Sequence, residues 1–372
     1  MNIGIDIREL SSGSTGISQF TLNLINYIIK TDKTNQYFLF TTKKFFLKNT
    51  SDSLKIVVYE KIKNNTLFEL FVLPFLIKKY NIELFFSPYY KLPFFSFVPC
   101  IITVHDIGFI TFPLEYYGRT GFYRFFAKFY LYFSLIKSKK IIAVSNYTKN
   151  EIIKKYKVKE SKISILYNSI NEVFCNDIQK QVEPDTAEAV RNYGDFVLSV
   201  SNYKPHKNIK NLVAAFSIIR SKTKLNLVLA GPKNKWRDEV KEYINDCGIN
   251  DRIFFVTPAG NNELKLLYSS ARMLVHPSLH EGFGLPPVEA QACGTPVISS
   301  DRTSLKEILN DACLYFNPES AEDIGNKILK LNDNESLRNE LIDKGFENVK
   351  RFYPEQSYYE LYDILCSSVE KF

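Results

Sequence analysis

The sequence is short of paired cysteines. Cys100, Cys175, Cys247, Cys293, Cys313 and Cys366 are scattered along 372 residues with no close spacing, so neither a zinc site nor a disulfide framework is expected. Long apolar runs are also missing. Nowhere do 18 apolar residues follow one another, and the best stretches, 67–77 and 94–104, are broken by Glu69, Pro74 and Pro99; no membrane-spanning helix is predicted. Met1 runs straight into Asn2-Ile3-Gly4-Ile5-Asp6-Ile7, without the charged and apolar regions of a secretion signal. The expected compartment is the cytoplasm, extending to a peripheral position on the cytoplasmic face of the inner membrane. Histidine is scarce: His105, His206, His276 and His280 are the four in the chain. Tryptophan occurs once, against 30 Phe and 23 Tyr, an aromatic bias that genome composition alone can produce.

What is present describes a globular chain. Apolar residues make up 45% and charged residues 24%, which excludes extended disorder, and the length suits two domains. The net charge of +8 is uneven. Residues 1–180 hold 25 Lys/Arg and 13 Asp/Glu (+12), and the remainder 23 and 27 (−4). A basic first half predicts contact with something anionic. With no RNP-like motif, zinc knuckle or basic helix, nucleic acid is not the expected partner; a bilayer surface or a lipid-phosphate substrate fits better.

Short β-branched or aromatic runs alternate with helical patterns. Strands are expected at 3–7, 37–41, 55–59, 83–87, 101–104 and 141–144, then at 196–201, 225–230, 253–256, 273–276, 297–300 and 314–316. Alternation of this kind implies parallel βαβ sheets. A polar stretch at 179–192 containing Pro184 reads as a linker. The predicted fold class is α/β, with two doubly wound domains facing across a cleft: 1–183, 184–352, and a closing amphipathic helix within 353–372 that packs back on the first domain. In such sheets ligands sit beyond the carboxyl ends of the strands.

One segment stands out there: His276-Pro277-Ser278-Leu279-His280-Glu281-Gly282-Phe283-Gly284-Leu285-Pro286-Pro287-Val288-Glu289. A strand ends near His276, a glycine-bearing loop follows, and Pro286 or Pro287 suits the first turn of a helix that Gly294 and Pro296 stop. Glycines allow backbone N–H groups to approach a ligand, and the helix N-terminus adds a positive dipole end. In form this is a pyrophosphate site. Glu281 lies in the loop and Glu289 in the helix, so they address different groups. A plain strand–turn–helix carrying two solvated carboxylates has the same local pattern.

The segment resembles the E-x7-E signature of the family 4 glycosyltransferases, and the likeness covers almost the whole chain in order. That resemblance implies the GT-B fold and retaining chemistry without a metal or other cofactor. It places Glu281 at the donor sugar ring and Glu289 on the nucleotide ribose. The N–H groups of Phe283, Gly284 and Leu285 would meet the sugar and diphosphate. Ser199-Val200-Ser201-Asn202-Tyr203-Lys204-Pro205-His206-Lys207 resembles the family's phosphate-binding segment. Lys207 matches its lysine, while Ser201 stands where the family has an arginine and supplies a hydrogen bond but no charge. His105, ending the strand Ile101-Ile102-Thr103-Val104, matches the histidine that reaches the donor sugar. Asp106 is read as orienting His105 or capping the next turn. Gly16, in Ser11-Ser12-Gly13-Ser14-Thr15-Gly16, matches a glycine whose N–H meets the leaving phosphate; Arg8 and Glu9 precede it without an assigned role. His276 and His280 are read as packing or loop residues.

Glu281, His105 and Lys207 are thus the expected catalytic residues, with Gly16, Ser201, Lys207, Phe283, Gly284, Leu285 and Glu289 binding the donor. The expected reaction moves a hexose from a nucleotide diphosphate sugar to a glycan or glycolipid acceptor. The nearest likeness, to bacterial mannosyltransferases of surface-polysaccharide assembly, points to GDP-mannose. A UDP-hexose or deoxysugar donor stays open, as do a sugar-nucleotide 2-epimerase on the same fold and a non-catalytic sugar-binding protein. Within 116–140, Arg119, Arg124, Lys128, Lys137, Lys139 and Lys140 are interleaved with aromatics. That pattern suits either anionic lipid or a helix packed on the first sheet.

Overall fold

The structure, a computed structural model, describes residues 1–12, 16–44, 51–62, 64–113, 121–175, 188 and 190–368. Gly13-Ser14-Thr15, Tyr116, Arg119, most of the expected linker and its 183/184 boundary lie outside the described residues. The chain divides into two compact units. The first comprises Met1–Ile110, Gly121–Ser169 and Pro354–Phe372; the second comprises Thr111–Thr120 and Ile170–Tyr353.

The first unit is built on a seven-stranded sheet: β1 (Asn2–Asp6), β2 (Gln36–Thr41), β3 (Leu54–Val58), β4 (Leu84–Ser87), β5 (Cys100–Val104), β6 (Lys140–Ala143) and β7 (Ile163–Ile165). All pair in parallel, in the order β3-β2-β1-β4-β5-β6-β7. β4 and β5 are buried along their whole length, which is why they read as continuous apolar runs and not as alternation. Ile3, Ile5, Leu84, Phe86, Ile101 and Ile142 point to one face. There Phe20, Leu24 and Ile28 of the helix Gly16–Thr31 pack one turn apart. The helix Pro354–Ser367 joins them through Tyr358, Leu361 and Leu365, with Tyr358 stacked on Tyr27 at 4.8 Å. The opposite face carries Phe85, Ile102, Val104 and Ile141 under helices that include Leu73–Lys79, Gly121–Lys137 and Asn146–Tyr156.

The second unit has a six-stranded parallel sheet: β8 (Phe196–Val200), β9 (Asn226–Ala230), β10 (Ile253–Val256), β11 (Met273–His276), β12 (Val297–Ser300) and β13 (Leu314–Phe316). Its order is β10-β9-β8-β11-β12-β13. Val197, Leu227, Leu229, Val275 and Ile298 form a core with Leu212, Val213 and Phe216 of the helix Ile209–Ile219 and Ile324, Ile328 and Leu331 of Ala321–Asp333.

Both sheets reverse direction of growth once, between β1 and β4 in the first unit and between β8 and β11 in the second. At such a point the connections leave to opposite sides and open a crevice at the strand carboxyl ends. The segments following β8, β11 and β12 therefore share one edge.

Candidate active site

The segment after β11 forms the loop expected of it, and the helix it opens runs Leu285–Ala292. Gly284 precedes the helix in a left-handed conformation, φ +97° and ψ 63°. A Cβ there would also stand 2.7 Å from Leu305 Cδ2, which would have to shift, but it is the backbone conformation that requires glycine. Pro286 and Pro287 have no N–H, so the donors that a helix start leaves over are concentrated at Gly284 and Leu285. The helix is held from behind by Gln291, whose side chain donates to Ala312 O (2.8 Å) and accepts from Asn348 Nδ2 (2.8 Å).

Glu281 is the centre of the site. Its Oε1 accepts from Lys207 Nζ at 2.6 Å and from His276 Nε2 at 2.9 Å. Burial by itself would raise this carboxyl, but the Lys207 ammonium and the His276 hydrogen bond outweigh it and hold Glu281 well below the usual carboxylate range. Glu281 is therefore ionised at neutral pH and carries no proton to donate.

The loop backbone is clamped from the segment after β12. Glu281 N donates to Thr303 Oγ1 (3.1 Å), and Ser304 Oγ donates to the carbonyls of Glu281 (3.0 Å) and Phe283 (3.2 Å). Phe283 is buried, its ring edge-on to Phe352 at 5.3 Å. Lys207 ends a 3-10 turn, Pro205–Lys207, that is tied to the same loop: Leu279 N donates to His206 O (2.8 Å) and Asn208 Nδ2 to Pro277 O (3.2 Å).

Glu289 has a different partner. It is buried and accepts from the Tyr268 hydroxyl at 2.9 Å, while Thr295 Oγ1 donates to Tyr268 O at 2.6 Å. Burial raises Glu289 to about 7 despite that hydrogen bond. The two carboxylates of the segment thus differ in ionisation because one has the Lys207 ammonium and an imidazole N–H beside it and the other has a phenol.

Ser201 directly follows β8, with Oγ accepting from Tyr203 N (3.2 Å). Gly231 packs so closely there that a Cβ would lie 1.9 Å from Ser201 O. Lys204 Nζ lies over the Trp236 ring (5.7 Å), and Arg237 is buried and donates to Thr257 Oγ1 (2.6 Å) and Gly231 O (3.3 Å).

Two expected site residues belong to the first unit. Gly16 is the exposed first residue of its helix. His105 follows β5, with Nε2 2.9 Å from Pro88 O and its ring edge-on to Phe20 at 5.2 Å. A carbonyl can only accept, so Nε2 carries the proton and Nδ1 keeps a lone pair. Burial lowers the His105 pKa, which keeps the ring neutral. Asp106 Oδ1 accepts from Gly108 N (2.8 Å), at the start of the short helix Gly108–Thr111.

The structure brings Lys207 to Glu281, beside the loop that carries Phe283, Gly284 and Leu285, and pairs Glu289 with Tyr268. It corrects the reading of His276 as a packing residue, since its ring binds Glu281. Thr303 and Ser304 were not anticipated, because their partners lie about 20 residues away in sequence.

Comparison with known proteins gives the family and the fold. Residues 15–173 match the model of the Glycosyltransferase Family 4 domain, and residues 185–348 that of Glycosyl transferases group 1. The chain is similar to the O-antigen chain mannosyltransferase RfbU of Salmonella typhimurium, 34% identical over 59% of this chain and 56% of the relative. It thus spans little more than half the length of that relative. It is also similar to the O-antigen chain mannosyltransferase B of Escherichia coli, 28% identical over 74% of this chain and 72% of the relative. The crystal structure of Anabaena HepE in complex with UDP-glucose superimposes with a TM-score of 0.77 at 14% identity, covering 99% of this chain and 100% of that one. This likeness establishes the GT-B fold.

Proposed function

We propose that this chain, which belongs to the group 1 and family 4 glycosyltransferases, moves a hexose from a nucleotide diphosphate sugar to a hydroxyl of a growing glycan with retention of configuration. The observation that carries the reading is Glu281, kept ionised by Lys207 and His276 beside a helix start whose N–H donors are gathered at Gly284 and Leu285. Mannose from GDP-mannose is the donor we favour, because the relatives from Salmonella and E. coli are O-antigen chain mannosyltransferases. A UDP-hexose is the second reading, favoured by the UDP-glucose bound to HepE.

In the proposed reaction the bond from the anomeric carbon to the diphosphate oxygen breaks on the same face where the acceptor oxygen bonds. The departing phosphate takes the acceptor proton. Lys207, the Gly284 and Leu285 N–H groups and the helix dipole stabilise the negative charge that develops there. Glu281, having no proton to give, accepts from sugar hydroxyls and offsets positive charge on the ring. Glu289 takes the ribose hydroxyls. His105, through its Nδ1 lone pair, and Gly16 contribute from the first unit in the roles the family resemblance implies. The reaction needs no metal in this reading, so activity is expected to survive EDTA.

Among the described residues no helix is long and apolar enough to cross a membrane. We place the chain on the cytoplasmic face of a membrane, held peripherally. The helix Gly121–Lys137 buries Ala127, Leu131 and Leu135 yet exposes Phe122 (76%), Phe125 (68%) and Phe129 (54%), interleaved with Arg124 and Lys128. Rings at an interface with lysine and arginine at anionic headgroups account for that outer surface.

Thermal-shift screening against GDP-mannose, UDP-glucose and other nucleotide sugars tests the donor. Stabilisation by GDP-mannose above GDP supports the favoured reading, and stabilisation by none refutes a transferase. Incubation of the donor alone, yielding an isomer, would instead mark an epimerase.

A further inference from the structure

Arg237 is a buried cation to which the donor chemistry gives no role. It stands in the first turn of the helix Lys235–Cys247, where the Asn234 side chain caps Trp236 N and Arg237 N, and it is 5% exposed. Arginine is seldom buried unless a carboxylate pairs with it. Among the described residues Arg237 has no such partner: Nη1 donates to Thr257 Oγ1 (2.6 Å) and Gly231 O (3.3 Å). Its Nε is buried with no acceptor, and Nη2 donates to no described residue.

The surroundings are built to hold it there. The guanidinium lies over the ring of Phe255 (4.9 Å) and near that of Tyr203 (6.0 Å), and these faces offset part of the cost of enclosing a charge. Tyr203 keeps a left-handed backbone, φ +61°, which is strained for an aromatic residue, and its hydroxyl donates to Leu229 O (2.9 Å). Gly231 makes room, since a Cβ there would meet Ser201 O at 1.9 Å and Tyr203 Cε2 at 2.9 Å. The segments following β8, β9 and β10 thus converge on one guanidinium at the carboxyl edge of the sheet, where doubly wound sheets hold ligands.

What is left over defines the ligand. With Nη1 engaged, the edge formed by Nε–H and Nη2–H remains, two parallel donors that match two adjacent acceptors. A diphosphate has such acceptors, but Lys207 and the loop after β11 take it at the gap between β8 and β11. Arg237 lies at the gap between β9 and β10, two strand spacings away, roughly 10 Å. A nucleotide spans a distance of that order from its diphosphate across the ribose to its base. Guanine presents O6 and N7 side by side, the pair that an arginine fork most often reads. Adenine has an amino donor in place of O6, and uracil sets an N–H between its two carbonyls, so neither fills the edge.

We infer that Arg237 selects a guanine nucleotide, reading O6 and N7 through its Nε/Nη2 edge while Thr257 and Gly231 fix the other side of the fork. The inference rests on the transferase reading and deepens it, because it makes the donor a GDP-sugar.

The test is calorimetry on the full chain with GDP, IDP, 7-deaza-GDP, ADP and UDP. IDP keeps O6 and N7, whereas 7-deaza-GDP lacks the N7 acceptor. GDP and IDP are expected to bind about 10-fold or more tightly than the other three, the discrimination of a bidentate pair. Arg237→Met keeps an apolar stem, and Arg237→Lys keeps the charge without the fork. Both should bring GDP to the affinity of UDP and leave UDP unchanged. A residue that only braced the fold would weaken both nucleotides alike, and that result overturns the proposal. So does a wild-type chain that binds UDP as tightly as GDP, or a guanine preference that survives both substitutions. If neither variant folds, 7-deaza-GDP decides on the unaltered chain, where binding equal to that of GDP overturns the proposal. The transferase reading is judged separately: it requires only that some nucleoside diphosphate binds, and binding of none sinks both.

Discussion

Replacing Glu289 with glutamine should change how the stability of the second unit depends on pH. The Glu289 carboxyl is raised from an ordinary 4.5 to about 7 by burial. Below about pH 4.5 it is protonated in both folded and unfolded chains, and the fold has its full stability. As pH rises from there to 7, the unfolded chain ionises while the fold must retain the proton, so stability falls; above 7 the loss is complete. At about 1.4 kcal/mol per tenfold change in proton affinity, the loss amounts to roughly 3 kcal/mol. Glutamine keeps the shape and can still accept from Tyr268, but cannot titrate. The difference between variant and wild type should therefore move by roughly 3 kcal/mol in favour of Gln between pH 4.5 and 8. The amide N–H2 adds only a pH-independent offset. Glu281 does not interfere, because its lowered pKa places its contribution at more acid pH, where stability is lost as pH falls through it. Trp236, the single tryptophan, lies in the second unit, so urea unfolding followed by its fluorescence reads that unit alone. Parallel stability profiles for the two proteins across this range would refute the reasoning.

Three other perturbations follow from the same geometry. Gly284→Ala must place a Cβ at φ +97° and 2.7 Å from Leu305; a cost of about 1–3 kcal/mol is expected, with weaker nucleotide binding, read by urea unfolding and calorimetry. Lys207→Ala leaves Glu281 with only His276, so both nucleotide affinity and transfer should fall and stability should drop by roughly 3 kcal/mol; unchanged nucleotide affinity would remove Lys207 from the donor site. Exchanging Phe122, Phe125 and Phe129 for serine should release the chain from phosphatidylglycerol vesicles in co-sedimentation while GDP or UDP affinity stays unchanged. Equal sedimentation with and without these rings would mean that they serve another purpose.

Much of the scaffold could be read from local pattern, because buried parallel strands are short apolar runs whose ends are marked by polar or small residues. All twelve expected strands correspond to strands of the sheets. β7 escaped notice because its three residues, Ile163-Ser164-Ile165, are broken by a serine, whereas the equally short edge strand β13 is continuously apolar. Glu281 and Glu289 were visible through their spacing around a helix start, but nothing in that spacing distinguishes an ionised carboxylate from one near neutrality. That difference comes from Lys207 and Tyr268, brought in by other βα units. His276 was discounted as the end of an apolar strand, although a histidine at a strand carboxyl end, five residues before a loop glutamate, was a usable signal. Glu69 was visible only as a charge interrupting an apolar stretch. Its pairing with Arg8 across 61 residues is created by the fold.

The most direct test of the active-site account is Glu281→Gln, which leaves an oxygen for Lys207 and His276 but removes the charge. Transfer from the donor identified by the nucleotide-sugar screen would be measured alongside nucleotide affinity on the same preparation. The account predicts transfer reduced by ~10²–10³ with nucleotide affinity nearly unchanged. Full transfer activity in the Glu281→Gln protein would contradict it.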